Sequence, residues 1–511
     1  MSFVRRVVAA SQAFAIFGAF VCCPKLALSA VSFTGDTTIG SQLIVGNNSF
    51  GTFRIDGGSN YTTTSSTVIL GSSSTGVGIA TVTGAGSQWT FTNSNGVDVG
   101  SSGFGRLEIL NGGVVTFSQT FGAGIDIGNN SGGQGTVVVD GTGSLLNSSG
   151  VNVGQQFGQG GAALLQISNN AMVFSNQTAI SSAGRVELIN GLLRAGQFST
   201  NNGVIVGSGE VTFPSTSSIT NSGRLEASNG SLRFTGTSGT IQNNGVIAAE
   251  DGTLEFNRAI TNHTNGDSAA EITLRNGLVR AGLLTTNGPQ LTNSAVLAAI
   301  GGTNDFHGRV TNTATGNIAV TNHSVLIFHD DVTADGGTIT VFPGSSAIFL
   351  EDLTMNAGST LLADLAGTNQ DTGFGDVEVV GVAQLAGNVQ ATLAAGFTPQ
   401  AGDTFPLVAA SSISGALALG DMPALPAGLK WDLDAEPNRV AAAQTKVNRE
   451  DVPAWRPSGL ARRWAEEIGH PGCDWSEGSK RPYLPRSRRR LGGRTAWAWA
   501  SRAPGVGLSA P

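Results

Sequence analysis

The stretch Val97-Asp98-Val99-Gly100-Ser101-Ser102-Gly103-Phe104-Gly105-Arg106-Leu107-Glu108-Ile109-Leu110-Asn111-Gly112-Gly113 decides the fold. Val-x-Val and Leu-x-Ile are period-two patterns, strands with one apolar side and one polar side. Glycines stand between them, where a chain that bends sharply needs left-handed backbone angles. Such a coil is too thin to shelter its own apolar side. It is stable only if copies stack on it, with like residues in line and strands about 4.8 Å apart.

Copies are present on both sides. Leu43-Ile44-Val45-Gly46, Val68-Ile69-Leu70-Gly71, Ile125-Asp126-Ile127-Gly128 and Val151-Asn152-Val153-Gly154 repeat the first element, with their glycines 25 to 29 residues apart. Each is followed by an alternating strand such as Gly135-Thr136-Val137-Val138-Val139. A turn then follows, either Gly-Gly (Gly57-Gly58, Gly112-Gly113) or Gly-x-Gly-Ser (Gly84 to Ser87, Gly141 to Ser144), and the two types alternate. The pattern Val-Gly-x-x-x-x-Gly-x-Leu-x-Ile-x-x-Gly-Gly, alternating with Gly84-Ala85-Gly86-Ser87-Gln88-Trp89, resembles the repeat of autotransporter passengers and PEP-CTERM-associated exported proteins. It covers about residues 40–175, and Leu146 stands where that repeat would carry Trp. The resemblance implies a Gram-negative-type envelope and a role in adhesion.

The second half keeps a shorter period. Phe213, Phe234 and Phe256 follow one another at 21 and 22 residues, as do Phe306, Phe328 and Phe349 at 22 and 21. These phenylalanines read as one internal aromatic ladder, and Asn221-Ser222-Gly223 and Asn244-Gly245 read as turns between its rungs. Asn190 to Gly196 returns as Asn276 to Gly282, an offset close to four rungs. The expectation is an all-β chain, a right-handed parallel β-helix of on the order of fifteen coils and roughly 70 Å. It divides into Val-Gly/Gly-Gly repeats over 31–180, Phe-ladder repeats over 181–365 and a C-terminal β cap module over 366–436.

The ends differ from this body. Arg5 and Arg6, an apolar run from Val7 to Cys23 and Ala27-Leu28-Ser29-Ala30 have the layout of a secretory signal peptide over 1–30, cleaved after Ser29 or Ala30. Cys22 and Cys23 leave with it, so Cys473 alone cannot form an internal disulfide. No transmembrane span is expected in the mature chain. Residues 437–511 carry 14 Lys and Arg against six acids, with five of the seven Trp and eight of the 16 Pro. This basic tail reads as disordered or as an out-of-frame remnant, with an adhesive arm as the competing reading. No barrel, sorting helix or dockerin-like module is visible in it.

Composition narrows the function. Charged residues are 12% of the chain and the net charge is −7, with the basic excess confined to the tail. The acidic body lacks the basic footprint that phosphate binding needs, which excludes nucleic acid as its partner. Two clusters bear on chemistry. Asp98, Asp126 and Asn152 share the middle place of the Val-Gly element and are expected side by side on the outer surface, as a solvated polar column. His307 and His329 are one rung apart, near Asp305, Asp330 and Asp331, and form a candidate divalent-metal pair. The competing reading is two exposed polar residues, since Thr235 and Asn257 occupy the equivalent places after Phe234 and Phe256. Nucleophile elbow, phosphate loop and calcium nonapeptide motifs are all missing. The chain therefore reads as a non-enzyme without cofactor: an exported, adhesin-like surface or matrix β-solenoid, with surface polysaccharide or other envelope components as partners. The alternative is a polysaccharide-binding or polysaccharide-cleaving β-helix.

Overall fold

Strand alternation is visible directly in burial. In Phe104–Leu110 the side chains of Leu107 and Ile109 are buried, while Arg106, Glu108 and Leu110 between them are half-exposed. The computed structural model describes residues 30–444 apart from 93–95, 119–123, 155–159, 214–217, 237, 264–269, 283–289 and 428. The expected signal segment up to Ser29, the tail from residue 445, and Cys22, Cys23 and Cys473 lie outside the described residues. Within them all regular structure is β-strand, and the strands join into one continuous hydrogen-bonded network. The fold is a parallel β-helix.

Each coil contributes to three faces. The first carries the Val-x-Val elements: Val97–Val99, Ile125–Ile127 and Val151–Val153 pair in parallel, one coil apart. The second carries the longer Leu-x-Ile strands and runs through fifteen strands from Phe50–Asp56 to Asn388–Leu393. The third carries the aromatics, among them Gln88–Phe91, Val114–Phe117 and Val325–Phe328. Leu146 pairs with Val115, which pairs with Trp89, so Leu fills the Trp place in the ladder without breaking it.

The alternation of turn types has a cause in hydrogen bonding. The backbone N–H of Gly58 donates to Ser87 Oγ at 3.0 Å, and that of Gly112 donates to Ser144 Oγ at 3.0 Å. A Gly-Gly turn thus presents a donor that the Gly-x-Gly-Ser turn of the next coil accepts with a fully buried serine. Each turn type satisfies the other.

Two expectations need correction. The phenylalanines do not form one column. Phe234 pairs with Phe256, but the following strand, Leu278–Arg280, places Val279 opposite Leu254, and Phe306 then pairs with Val279. Phe306, Phe328 and Phe349 therefore stack two residues away from Phe256, in the column that leucines occupy earlier. Both sets are buried, and within each most rings stack, as Phe234 on Phe256 at 5.1 Å and Phe328 on Phe349 at 5.0 Å. The chain does turn at Ser222-Gly223 and Asn244-Gly245, but Asn221 itself is the last residue of the strand before its turn. Asn201, Asn221, Asn243, Asn262, Asn293 and Asn312 are buried on the first face, in the inward column that Val153 and Ile180 begin. Each Nδ2 donates to the next Oδ1 at 2.7–2.8 Å, which makes an unbroken amide ladder through the core wall.

The ends are closed by antiparallel strands. At the start Ala30–Gly35 pairs antiparallel with Phe50–Asp56, and Phe33 stacks on Phe53 at 4.5 Å. No cap was expected there. At the other end the coil continues past residue 366: Asp376–Leu385 still pairs in parallel with Ser346–Phe349 and with Thr404–Gly415. Only the last hairpin, Trp431–Glu436 with Arg439–Gln444, turns antiparallel and pairs with Thr404–Gly415. The cap therefore reaches residue 444, eight residues past the expected boundary, because Arg439–Gln444 is the strand that covers the final edge.

Candidate functional site

Outward positions of the third face align from coil to coil. Met172 pairs with Leu192, Leu192 with Glu210, Glu210 with Arg233, Arg233 with Glu255, Glu255 with Arg280, and Arg280 with His307. His329 continues the line, its ring stacked on His307 at 3.8 Å and within 10° of parallel. In a chain this poor in charge, one charged or ionisable side chain per coil over consecutive coils makes a ribbon along the rod.

The ribbon is tied to itself. Glu255, whose side chain is 6% exposed, accepts from Arg233 Nε at 2.9 Å and from Arg280 Nη1 at 2.9 Å. Two charge-assisted bonds fix that carboxylate as a structural bridge. Glu210 accepts from the Thr235 hydroxyl at 2.8 Å. At this end the ribbon borders an open groove of about 490 Å³, lined by Asn170, Met172, Asn190, Leu192, Glu210 and Arg233 among others. Asn170 and Asn190 hold positive φ there, at 63° and 58°. Amides, a carboxylate, a guanidinium and two thin apolar surfaces together suit a hydroxyl-rich ligand.

At the other end the structure does bring His307 and His329 together. His329 Nε2 lies 2.7 Å from Asp305 Oδ1. The His307 pKa is pushed down to about 4, chiefly by burial, then by His329 and Arg280, with Asp305 and Asp330 opposing. Ring-on-ring stacking points the nitrogens alongside one another rather than at a common centre, and Arg280 adds positive charge. Asp330 accepts the Gly308 N–H at 2.8 Å, and Asp331 the Asp352 N–H at 3.4 Å, so both acids serve the backbone. Among the described residues no three His, Cys, Asp or Glu converge as a metal site. The pair is a stacked step of the ribbon, tied through His329 to Asp305.

Asp98, Asp126 and Asn152 also stand side by side. Asn152 Nδ2 donates to Asp126 Oδ1 at 2.6 Å. Burial, then the charge of Asp126, pushes the Asp98 pKa up. Ile69 and Ala179 close the column at its two ends, so it is only three polar coils long. No known protein family and no curated protein matches this chain. Among the described residues no helix is long and apolar enough to cross a membrane.

Reading the sequence found the histidines but missed Met172, Leu192, Glu210, Arg233, Glu255 and Arg280. The signal was present in Leu232-Arg233-Phe234 and Leu254-Glu255-Phe256: the middle residue between two inward side chains must point outward.

Proposed function

We propose that this chain is an exported surface or extracellular-matrix component, a non-catalytic β-solenoid that engages extended polymers along its third face. The observation that carries this reading is the ribbon from Met172 to His329. Its groups stand at the rung spacing, one ionisable side chain per coil from Glu210 to His329, so a linear ligand meets a row of polar contacts along its length. Its carboxylates are engaged in bonds within the ribbon, and that arrangement favours holding over turnover. The layout of residues 1–30 and the resemblance of residues 40–175 to passenger repeats support export to the envelope.

A second reading, polysaccharide binding or cleavage at one place, is favoured by the groove beside Asn170, Asn190, Glu210 and Arg233. One experiment separates the two. The mature full-length chain is screened against envelope and plant-type polysaccharides, alongside Arg233→Ala and Arg280→Ala, with fractionation of the native cells. The leading reading expects surface or medium localisation and polymer binding weakened about tenfold by either substitution, with intact polymer recovered. Shortened or unsaturated products would replace it with the cleaving reading. Cytoplasmic localisation would remove it.

A further inference from the structure

Where the rod ends, charge is buried on the outer side of the third face. In Asp376–Leu385 the core takes Val377 and Val379, so alternation turns Asp376 and Glu378 outward. Outward acids belong in water, yet Asp376 is 4% exposed and Glu378 2%. Ser346, opposite Asp376 on the preceding coil, donates its hydroxyl to Asp376 Oδ1 at 2.7 Å. Ile348, opposite Glu378, is fully buried. On the other side Glu378 pairs with Ala409, and Ala409 with Arg439 of the terminal hairpin. Only a methyl group therefore stands in the row between a buried acid and an arginine that is itself 2% exposed. Arg439 in turn donates to Asp434 and Glu436, at 3.3 Å each, within the hairpin.

Asp376 and Glu378 also hydrogen-bond each other. Two ionised carboxylates cannot do so, because each only accepts; one of the pair must carry a proton. We infer that Asp376 and Glu378 hold a single proton between them as a latch on the C-terminal cap, which keeps the hairpin of Trp431–Glu436 and Arg439–Gln444 shut while the proton is present and loosens it when the proton leaves for water. With the proton, the pair carries one negative charge in the row that ends at Arg439. Without it there are two, in contact and out of water. The surroundings do not offset the second charge. Asp371, in the loop before the strand, adds to it, Ser346 is neutral, and Arg439 already serves Asp434 and Glu436. Burial above all pushes the Asp376 pKa up from its ordinary 3.8, with Asp371 acting in the same sense and the bonds from Ser346 and Glu378 against it. The folded chain thus keeps a proton that the unfolded chain gives up. The stabilisation is complete below pH 3.8 and is lost as pH rises through the raised folded value. The sense is opposite to that at His307, whose contribution is lost as pH falls.

Hydrogen exchange of the mature full-length chain between pH 5 and pH 9, read by mass, tests this against Asp376→Asn and Glu378→Gln. Comparing chains at equal pH cancels the intrinsic pH dependence of exchange. Either amide can donate to the carboxylate that remains, so each variant keeps the pair bonded with one negative charge and no titrating proton. Relative to either variant, wild-type protection of Arg439–Gln444 is expected to fall about tenfold from pH 5 to pH 9, with no such fall in Phe50–Asp56 at the far end. A wild type that tracks the variants across that range would overturn the inference. So would a fall that reaches Phe50–Asp56 equally, since the proton would then govern the whole rod and not its cap. Where one amide disturbs folding the other decides alone, because each removes the titration by itself.

Discussion

At the scale of single residues, the amide ladder is the feature where a small change has the largest expected effect. Asn243 donates to Asn262 Oδ1 at 2.8 Å and accepts from Asn221 Nδ2 at 2.7 Å, fully buried. Asn243→Ala leaves a donor and an acceptor unpaired in the wall, a cost of about 2–4 kcal/mol. Asn243→Asp keeps the shape but buries a charge against a row of carbonyl oxygens, and should cost more. Hydrogen exchange of the strands Ile219–Asn221 and Ala259–His263 measures both, and equal protection in wild type and Asn243→Ala would show the ladder to be incidental. His307 gives a second test. Its folded pKa of about 4 lies below its ordinary 6.5, so the unfolded chain takes up a proton first. Its contribution is intact above pH 6.5 and is lost as pH falls towards 4. His329, Arg280, Asp305 and Asp330 face it, and His307→Gln removes the titration. That variant is expected to lose less stability than wild type between pH 7 and pH 4.5, by on the order of 1 kcal/mol after solvent screening, in urea unfolding monitored at both pH values. These residues were legible to different degrees. Stacking of the two histidines followed from their spacing, whereas Asn next to Gly carries the same signature in a turn and in a buried corner. Only the register tells them apart.

At the scale of elements, the corner is where sequence and structure agree most closely, since glycine there answers a steric demand. Gly100 has φ +73°, and a Cβ on it would lie 2.2 Å from the Gln134 carbonyl oxygen of the next coil. Both the backbone angle and the close approach forbid a side chain. Gly100→Ala is therefore expected to destabilise its coil by about 2 kcal/mol or more, seen as new protease sensitivity near residues 97–135. A variant as resistant as wild type would mean that the corner can relax. Strand positions were equally plain because Val-x-Val and Leu-x-Ile leave one choice of inward side. The shift between the two phenylalanine sets was hidden. Residues 278–280 contain neither Phe nor the usual Leu-x-Phe spacing, and nothing local fixes whether Val279 meets Leu254 or Phe256. The outward ribbon was hidden for a related reason: one charge per coil is invisible until the coils are aligned.

At the scale of the whole molecule, a stack of coils poses a problem that no single coil has, because each end exposes an unpaired strand edge and an apolar cross-section. The protein meets it with direction reversal. Ala30–Gly35 and Arg439–Gln444 each run against the last coil they cover, so neither presents the parallel edge that another rod would extend. Aromatic side chains fill the cross-sections: Phe33 lies on Phe53 at one end, and at the other Trp431 lies beside Phe405 at 6.1 Å and donates from Nε1 to the Pro423 carbonyl at 2.8 Å. A sequence can announce the repeat but not the reversal, since strand direction carries no signature in an alternating hexapeptide. The consequence can be tested at both ends independently. Phe33→Asp and Trp431→Ala should each loosen one cap while leaving the central ladders intact, and each is expected to make rods associate end to end. Light scattering would show mass rising with concentration in either variant, and steeper in the pair, because two open ends allow chains of rods where one allows only dimers. Monomeric behaviour of the double variant at high concentration would mean that the coils themselves, and not their reversed terminal strands, keep the rods apart.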